Sequence, residues 1–213
     1  VIRRLLLAAC LATPAQAELP LPAAETLAPC WISGLTRENR LSMLAEGGFV
    51  PVSPDDALAA AAAIAPWRLL FLDNHGMFDF ADDPALNSQR LREAIKDEAQ
   101  RIANPTENTS WFRATGEGGD AYLFVQWVPD LGYGYGRWRC TVTLPPGDWR
   151  EAMNFYTGMP FVTTGDVPAL RLTRFPVDDN PDHDFWLGEY RPVAFGGTEA
   201  LPILRFPATD LPD

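Results

Sequence analysis

Arg137-Trp138-Arg139-Cys140-Thr141-Val142-Thr143-Leu144 alternates without a break between large apolar or sulfur-bearing residues and polar ones. Side chains of an extended strand point to opposite faces at every step. Trp138, Cys140, Val142 and Leu144 therefore face a core, and Arg137, Arg139, Thr141 and Thr143 face the other way. Just upstream, Ala121 to Val128 is apolar at nearly every position. Such a segment reads as a central strand covered on both faces. Pro129 to Gly136 is rich in glycine and fits a connection between the two strands.

Outward from this hairpin, Ser110 to Ala114 is a further short β-type segment, and Ala169 to Phe175, Asp184 to Arg191 and Leu201 to Phe206 read as the closing strands. Phe49 to Val52 is a short extended connector. Thr36 to Glu46 reads as a helix, with Leu41, Leu44 and Ala45 on one face and Gly47 as its left-handed cap. Ser53, Pro54 and Asp56 open another helix as cap, first-turn proline and capping-box acid. Its alanine run is expected to stop before Pro66, leaving Trp67 to Leu72 as a compact apolar strand. Pro84 to Ala103 is the clearest helix, with Leu91, Ile95, Ala99 and Ile102 in one stripe, ended by Asn104-Pro105. Asp148 caps a helix that Gly158 ends. From Trp67 the elements spell β-α-β-β twice and then one strand, which reads as a duplication. The fold class is α+β: a single domain over residues 30–213, with helices packed on one face of a mostly antiparallel sheet.

The first seventeen residues read as an export signal: a basic start at Arg3-Arg4, a short apolar run from Leu5 to Ala12, and the small-x-small site Ala15-Gln16-Ala17. Cleavage there starts the mature chain at Glu18. Residues 18–29 form a Pro- and Ala-rich extended arm. Leu7-Ala8-Ala9-Cys10 is the competing reading, a lipobox that would tether the chain through Cys10. No later stretch is long and apolar enough for a membrane span of roughly 20 residues. The chain is thus expected to be periplasmic or secreted. Export also decides the cysteines. Cys30 and Cys140 lie outside the signal and are expected to pair in an oxidising compartment. Their separation fits neither a redox C-x-x-C nor a zinc site.

Charge is lopsided. The full chain carries −11; without Arg3 and Arg4, 15 basic residues face 28 acidic ones, for −13. Nucleic acid and anionic lipid surfaces repel such a chain. Against this background a face with Arg137, Arg139, Arg113 and Arg171 stands out, since guanidinium groups take carboxylate or phosphate. The four share a face only if the strand registers allow it. Tyr133 and Tyr135, in Gly132-Tyr133-Gly134-Tyr135-Gly136, suit sugar stacking or a protein partner. Asp178, Asn180, Asp182, Asp184 and Glu189 fall at the oxygen-ligand positions of a calcium loop, but His183 stands where a sharp turn needs glycine. Asp73, His75 and Asp79 follow an apolar run, and a carboxylate and an imidazole there could serve acid–base or metal chemistry.

No nucleophile elbow, zinc-protease helix or phosphate-binding glycine loop accompanies them, and no motif names a cofactor. The reading is therefore a non-catalytic binding or envelope-interaction module, taking a small anionic ligand on the arginine face or an envelope protein at the tyrosine loop. The alternative is a hydrolase working through Asp73, His75 and Asp79. Intact mass of protein recovered from the envelope or medium checks the export reading. A chain beginning at Glu18 is expected, and an acylated chain beginning at Cys10 would replace that reading with a tethered lipoprotein.

Overall fold

The hairpin that the alternation announces is the centre of the sheet. In the computed structural model, β3 (Gly119–Val128) and β4 (Gly136–Thr143) pair antiparallel, with Trp127 opposite Trp138, Val125 opposite Cys140 and Leu123 opposite Val142. The structure describes residues 27–71, 84–116, 119–128, 136–145, 163–167, 170–175, 185–190, 201–206 and 208–211. On the outer side of β3 lies β2 (Thr109–Gly116), and beyond it the two-residue β1 (Val50–Pro51).

The far side of β4 is shared by two strands in succession. β8 (Leu201–Arg205) runs beside Thr141–Thr143, and β9 (Thr209–Leu211) runs beside Gly136–Trp138. Between them the Phe206 N–H donates to the Cys140 carbonyl at 3.1 Å. β7 (Phe185–Tyr190), β6 (Leu170–Phe175) and β5 (Thr163–Val167) continue from β8, giving the order β1-β2-β3-β4-β8-β7-β6-β5 with every pair antiparallel. The chain is α+β with an antiparallel sheet, as the sequence pattern requires.

The caps form where hydroxyl and glycine residues stand. α1 (Arg37–Glu46) begins at Thr36, whose Oγ1 accepts the Asn39 N–H at 3.3 Å. Its end differs by one residue from the expectation. Gly47 stays at φ −77°, and Gly48 takes the left-handed conformation at φ +85°. Phe49 N–H then reaches back to the Leu44 carbonyl and Gly48 N–H to that of Ala45, the six-to-one and five-to-two closures of a Schellman end. Ser53 opens the next helix through a 3-10 turn at Pro54–Asp56, accepting the Asp56 N–H.

That helix, α2 (Ala57–Phe71), does not stop before Pro66. The expected strand at Trp67–Leu72 is helical through Phe71, and with it goes the leading strand of the apparent β-α-β-β repeat. Pro66 removes one N–H, whose helical acceptor would be the Ala62 carbonyl. Ala62 lies on the exposed side of the helix, where water can take that carbonyl. One residue on, Ala63 faces the sheet, and its carbonyl accepts the Thr143 hydroxyl at 3.0 Å. Packing against its partner helix then carries α2 past the proline. α3 spans Pro84–Ala103, the bounds its periodicity sets. The helix expected after Asp148 lies outside the described residues.

The alternation in β3 and β4 divides the core in two. α2 and α3 share one face, where Ala57, Ala60, Ala61, Ile64 and Ile102 meet Trp111, Tyr122 and Phe124. On the opposite face Leu123, Val125, Trp127, Trp138, Cys140 and Val142 meet Leu27, Cys30, Leu44 and Phe49 from the N-terminal segment and α1. The arrangement is thus fuller than one helical layer: the two long helices share a face, and the short one covers the reverse.

A disulfide fastens this second layer. Cys30, at the end of a 3-10 turn (Ala28–Cys30), is bonded to Cys140 in mid-sheet with Cα atoms 5.5 Å apart, and both residues are fully buried. A formed disulfide belongs to an oxidising compartment. Closing a loop of 110 residues stabilises by at most about 4–5 kcal/mol in the chain-entropy model. Urea denaturation of a Cys30→Ala, Cys140→Ala double variant is expected to show a loss of that order, with near-wild-type secondary structure by circular dichroism before the transition.

Candidate functional site: the arginine face

Directly paired residues on neighbouring strands point the same way, so the registers test whether the arginines meet. Arg113 pairs with Tyr122, which pairs with Thr143. Arg139 pairs with Gln126, and Arg137 with Val128. Arg113, Arg137 and Arg139 therefore share a face. Arg171 does not. The row through Thr143 continues to Ile203, Gly188 and Leu172, which leaves Arg171 on the reverse face. There it stands in register between Asp166 and Glu189, a cross-strand arrangement of opposite charges.

The helices subdivide the shared face. Thr141 and Thr143, expected to point outward, are each 3 % exposed because α2 and α3 lie over them. Arg113 stands beside the start of α2. It donates from Nη1 to Asp56 Oδ1 at 3.1 Å, and Asp56 also accepts the Ser53 hydroxyl at 2.7 Å. Arg113 is thereby engaged in holding the helix entry. Arg139 lies two rows away, about 13 Å along the strands and about 10 Å across them from Arg113. The structure thus separates one structural arginine from a pair at the loop end of the hairpin, where β3 ends and β4 begins. Arg137 is exposed there, and Thr109, Gln126 and Arg139 are half-buried around it. By register, Asp210 of β9 stands opposite Arg137.

Backbone pairing also brings to this face two arginine positions that no local pattern identifies. The row through Thr141 continues to Arg205, Trp186 and Arg174. Parity within each strand was legible, but which parity matched that of β4 depends on long-range pairing.

At the other end of the face lies an ionisable cluster. The Tyr122 hydroxyl donates to Asp120 Oδ2 at 3.3 Å, and the Thr115 hydroxyl donates to Asp120 Oδ1 at 2.8 Å. Burial, then the Asp120 carboxylate, push the Tyr122 phenol above its ordinary value, with Arg113 opposing. Beneath α3, Glu98 is 1 % exposed and accepts the Trp111 indole N–H at 2.8 Å. Neither contact was expected from sequence. A buried Glu on the apolar side of α3 facing a Trp thirteen residues on is the signal that was present.

Asp73, His75, Asp79, Tyr133, Tyr135, Asp178, Asn180, Asp182, Asp184 and Cys10 lie outside the described residues. Glu189, the twelfth position of the supposed calcium loop, lies within β7. Among the described residues no group of three or more His, Cys, Asp or Glu side chains could hold a metal, and no helix is long and apolar enough to cross a membrane. Comparison with protein-family models, with curated proteins and with solved structures found no match.

The Tyr122 environment carries a pH signature. A phenol held above its unfolded value supplies stability that is full below about pH 10 and is lost as pH rises through the folded value. Denaturation midpoints of wild type and Tyr122→Phe, compared from pH 8 to 11, are expected to converge as pH rises, with the wild type losing stability more steeply above pH 10. Parallel curves across the range would contradict the assignment.

Proposed function

We propose that this chain is an exported envelope or secreted protein that binds an anionic small molecule at the arginine-bearing end of the β3–β4 hairpin, without acting on it chemically. One observation carries the reading: Arg137 and Arg139 stand two residues apart on one face of a central strand, at an end that α2 and α3 leave uncovered. Their Cα atoms are about 6.8 Å apart. Two guanidinium forks at that spacing suit a dianion, such as a dicarboxylate or a phosphate ester.

Gln126 and Thr109 border the pair and add neutral hydrogen-bonding groups. The disulfide-tied sheet supplies a rigid platform, which lowers the cost of ordering a binding surface. The net charge of −11 gives the local cationic patch a directing role, since anions are repelled elsewhere on the molecule. The export signal and the oxidised cysteine pair support the periplasm or the medium as the place of action. The rival reading, a hydrolase working through Asp73, His75 and Asp79, concerns residues outside those described.

Calorimetric titration with phosphate, citrate and succinate at low salt tests the proposal. At least one of these anions is expected to bind, with affinity falling as salt rises. Arg137→Gln, Arg139→Gln is expected to weaken that binding about 100-fold, the equivalent of two lost charge-assisted contacts, and to leave the melting temperature of the free protein within about 2 °C. Binding that is indifferent to both arginines, or absent for all three anions, would overturn it.

A further inference from the structure

An open apolar groove of about 560 Å³ runs where the first turn of α2 meets the C-terminal half of α3. Its walls are Leu58, Ile95, Ala99 and Ala103. Leu58 is 65 % exposed, although it is the only large apolar residue among the first seven positions of α2. Ile95, Ala99 and Ala103 follow one another at four-residue steps along α3. The two alanines leave room for a third helix to approach the pair closely, as ridge-and-groove packing needs.

The rim is charged asymmetrically. Arg92 and Lys96, one turn apart on α3, flank the apolar stripe, and Asp55 stands at the α2 lip. Lys96 is the only lysine in the chain. Among the described residues neither Arg92 nor Lys96 makes an ion pair. Two cations beside an apolar stripe are an unusual feature of a chain with net charge −11, and they name the chemistry that would cover it.

We infer that this groove docks an amphipathic helix of a partner protein, one whose apolar stripe is bordered by carboxylates that meet Arg92 and Lys96. Helix-in-groove recognition sets apolar anchors at i, i+4 and i+7 against a hydrophobic groove, and Leu58, Ile95 and Ala99 line this one. A membrane surface and a second copy of the chain are the other possible occupants, and the measurements below separate them from a partner helix. The inference is independent of the arginine face, which involves different residues on the sheet.

Fluorescence anisotropy with two labelled 18-residue helical peptides tests it. Both peptides carry the same leucine stripe; one is bordered by Glu and the other by Lys, and the full oxidised chain is titrated in at 50 mM salt. Net charge alone would favour the Lys peptide. The Glu peptide is expected to bind at least tenfold tighter, Arg92→Glu with Lys96→Glu to invert the preference, and Leu58→Asp to weaken the Glu peptide at least tenfold with an unchanged melting temperature.

A Lys peptide that binds as well or better, or a preference that survives the charge reversal, overturns the proposal. Light scattering that shows a dimer dissociated by Leu58→Asp overturns it in favour of self-association. Binding to anionic phosphatidylglycerol vesicles that Leu58→Asp abolishes overturns it in favour of a membrane.

Discussion

Everything on one side of this sheet depends on how the N-terminal segment is fastened to β4. Trp127 and Trp138 lie stacked there with ring centroids 6.2 Å apart, and without a cover they would face water. Among the described residues the cover is built from a short helix and one 3-10 turn. The Cys30–Cys140 bond supplies the anchor, and Arg40 completes it from within. Arg40 is fully buried, donates to the Leu35 and Pro29 carbonyls, and stands 5.5 Å from the Trp138 ring centroid. Burial lowers its guanidinium to about 10, well above neutral pH, so it remains a cation at any physiological pH. A buried cation is tolerated only when its donors find acceptors. Here those acceptors are the carbonyls of the very segment being fastened. Arg37 adds a second cation at 3.7 Å over Trp127, so that α1 meets the indole pair with charge over rings as well as with Leu44.

The opposite face uses polar groups differently. Thr143 and Glu98 are buried, and each is tied to a partner on another element: Thr143 to the Ala63 carbonyl, Glu98 to the Trp111 indole. These bonds add modest net stability. Their larger effect is to set the position of the helix pair on the sheet, because a shift by one residue would strand a buried polar atom. An all-apolar contact between Ala-rich α2 and the sheet would permit such slips. The second Glu98 oxygen approaches Arg101 at 3.9 Å, at the margin where α3 reaches water.

Local signals were legible wherever the physics is local. Thr36 and Ser53 cap because a hydroxyl precedes a run of helix formers, and Pro84 to Ala103 keeps its stripe because only one face meets α2. The alternation in β4 and the double-sided apolarity of β3 foretold a central hairpin with covered faces, and the cysteine pair followed from reading residues 1–17 as an export signal. What was not legible depends on distant partners. The helix crosses Pro66 because the freed carbonyl meets solvent and the neighbouring turn meets Thr143, seventy-seven residues beyond the proline. β5 and β9 are short, and pairing alone makes them strands. Arg171 fell on the wrong face because parity within a strand says nothing of which face a strand three places away will share.

That parity explains how the arginines divide between structure and surface. Arg171 lies in register with two acidic positions, and Arg113 is spent on Asp56 at the helix entry. Arg137 likewise stands in register with an acidic position, Asp210 of β9. Arg137 and Arg139 occupy the end of the same strand whose far end is roofed by the helix pair, so the roof's edge decides which polar residues of β4 become core and which remain accessible. Thr141 and Thr143 on the inner side of that edge are nearly inaccessible; Arg137 outside it is exposed. The reach of the α2–α3 layer therefore decides that Thr141 and Thr143 are buried while Arg137 on the same face is exposed. On the outer side of the same helix pair, Leu58 is exposed.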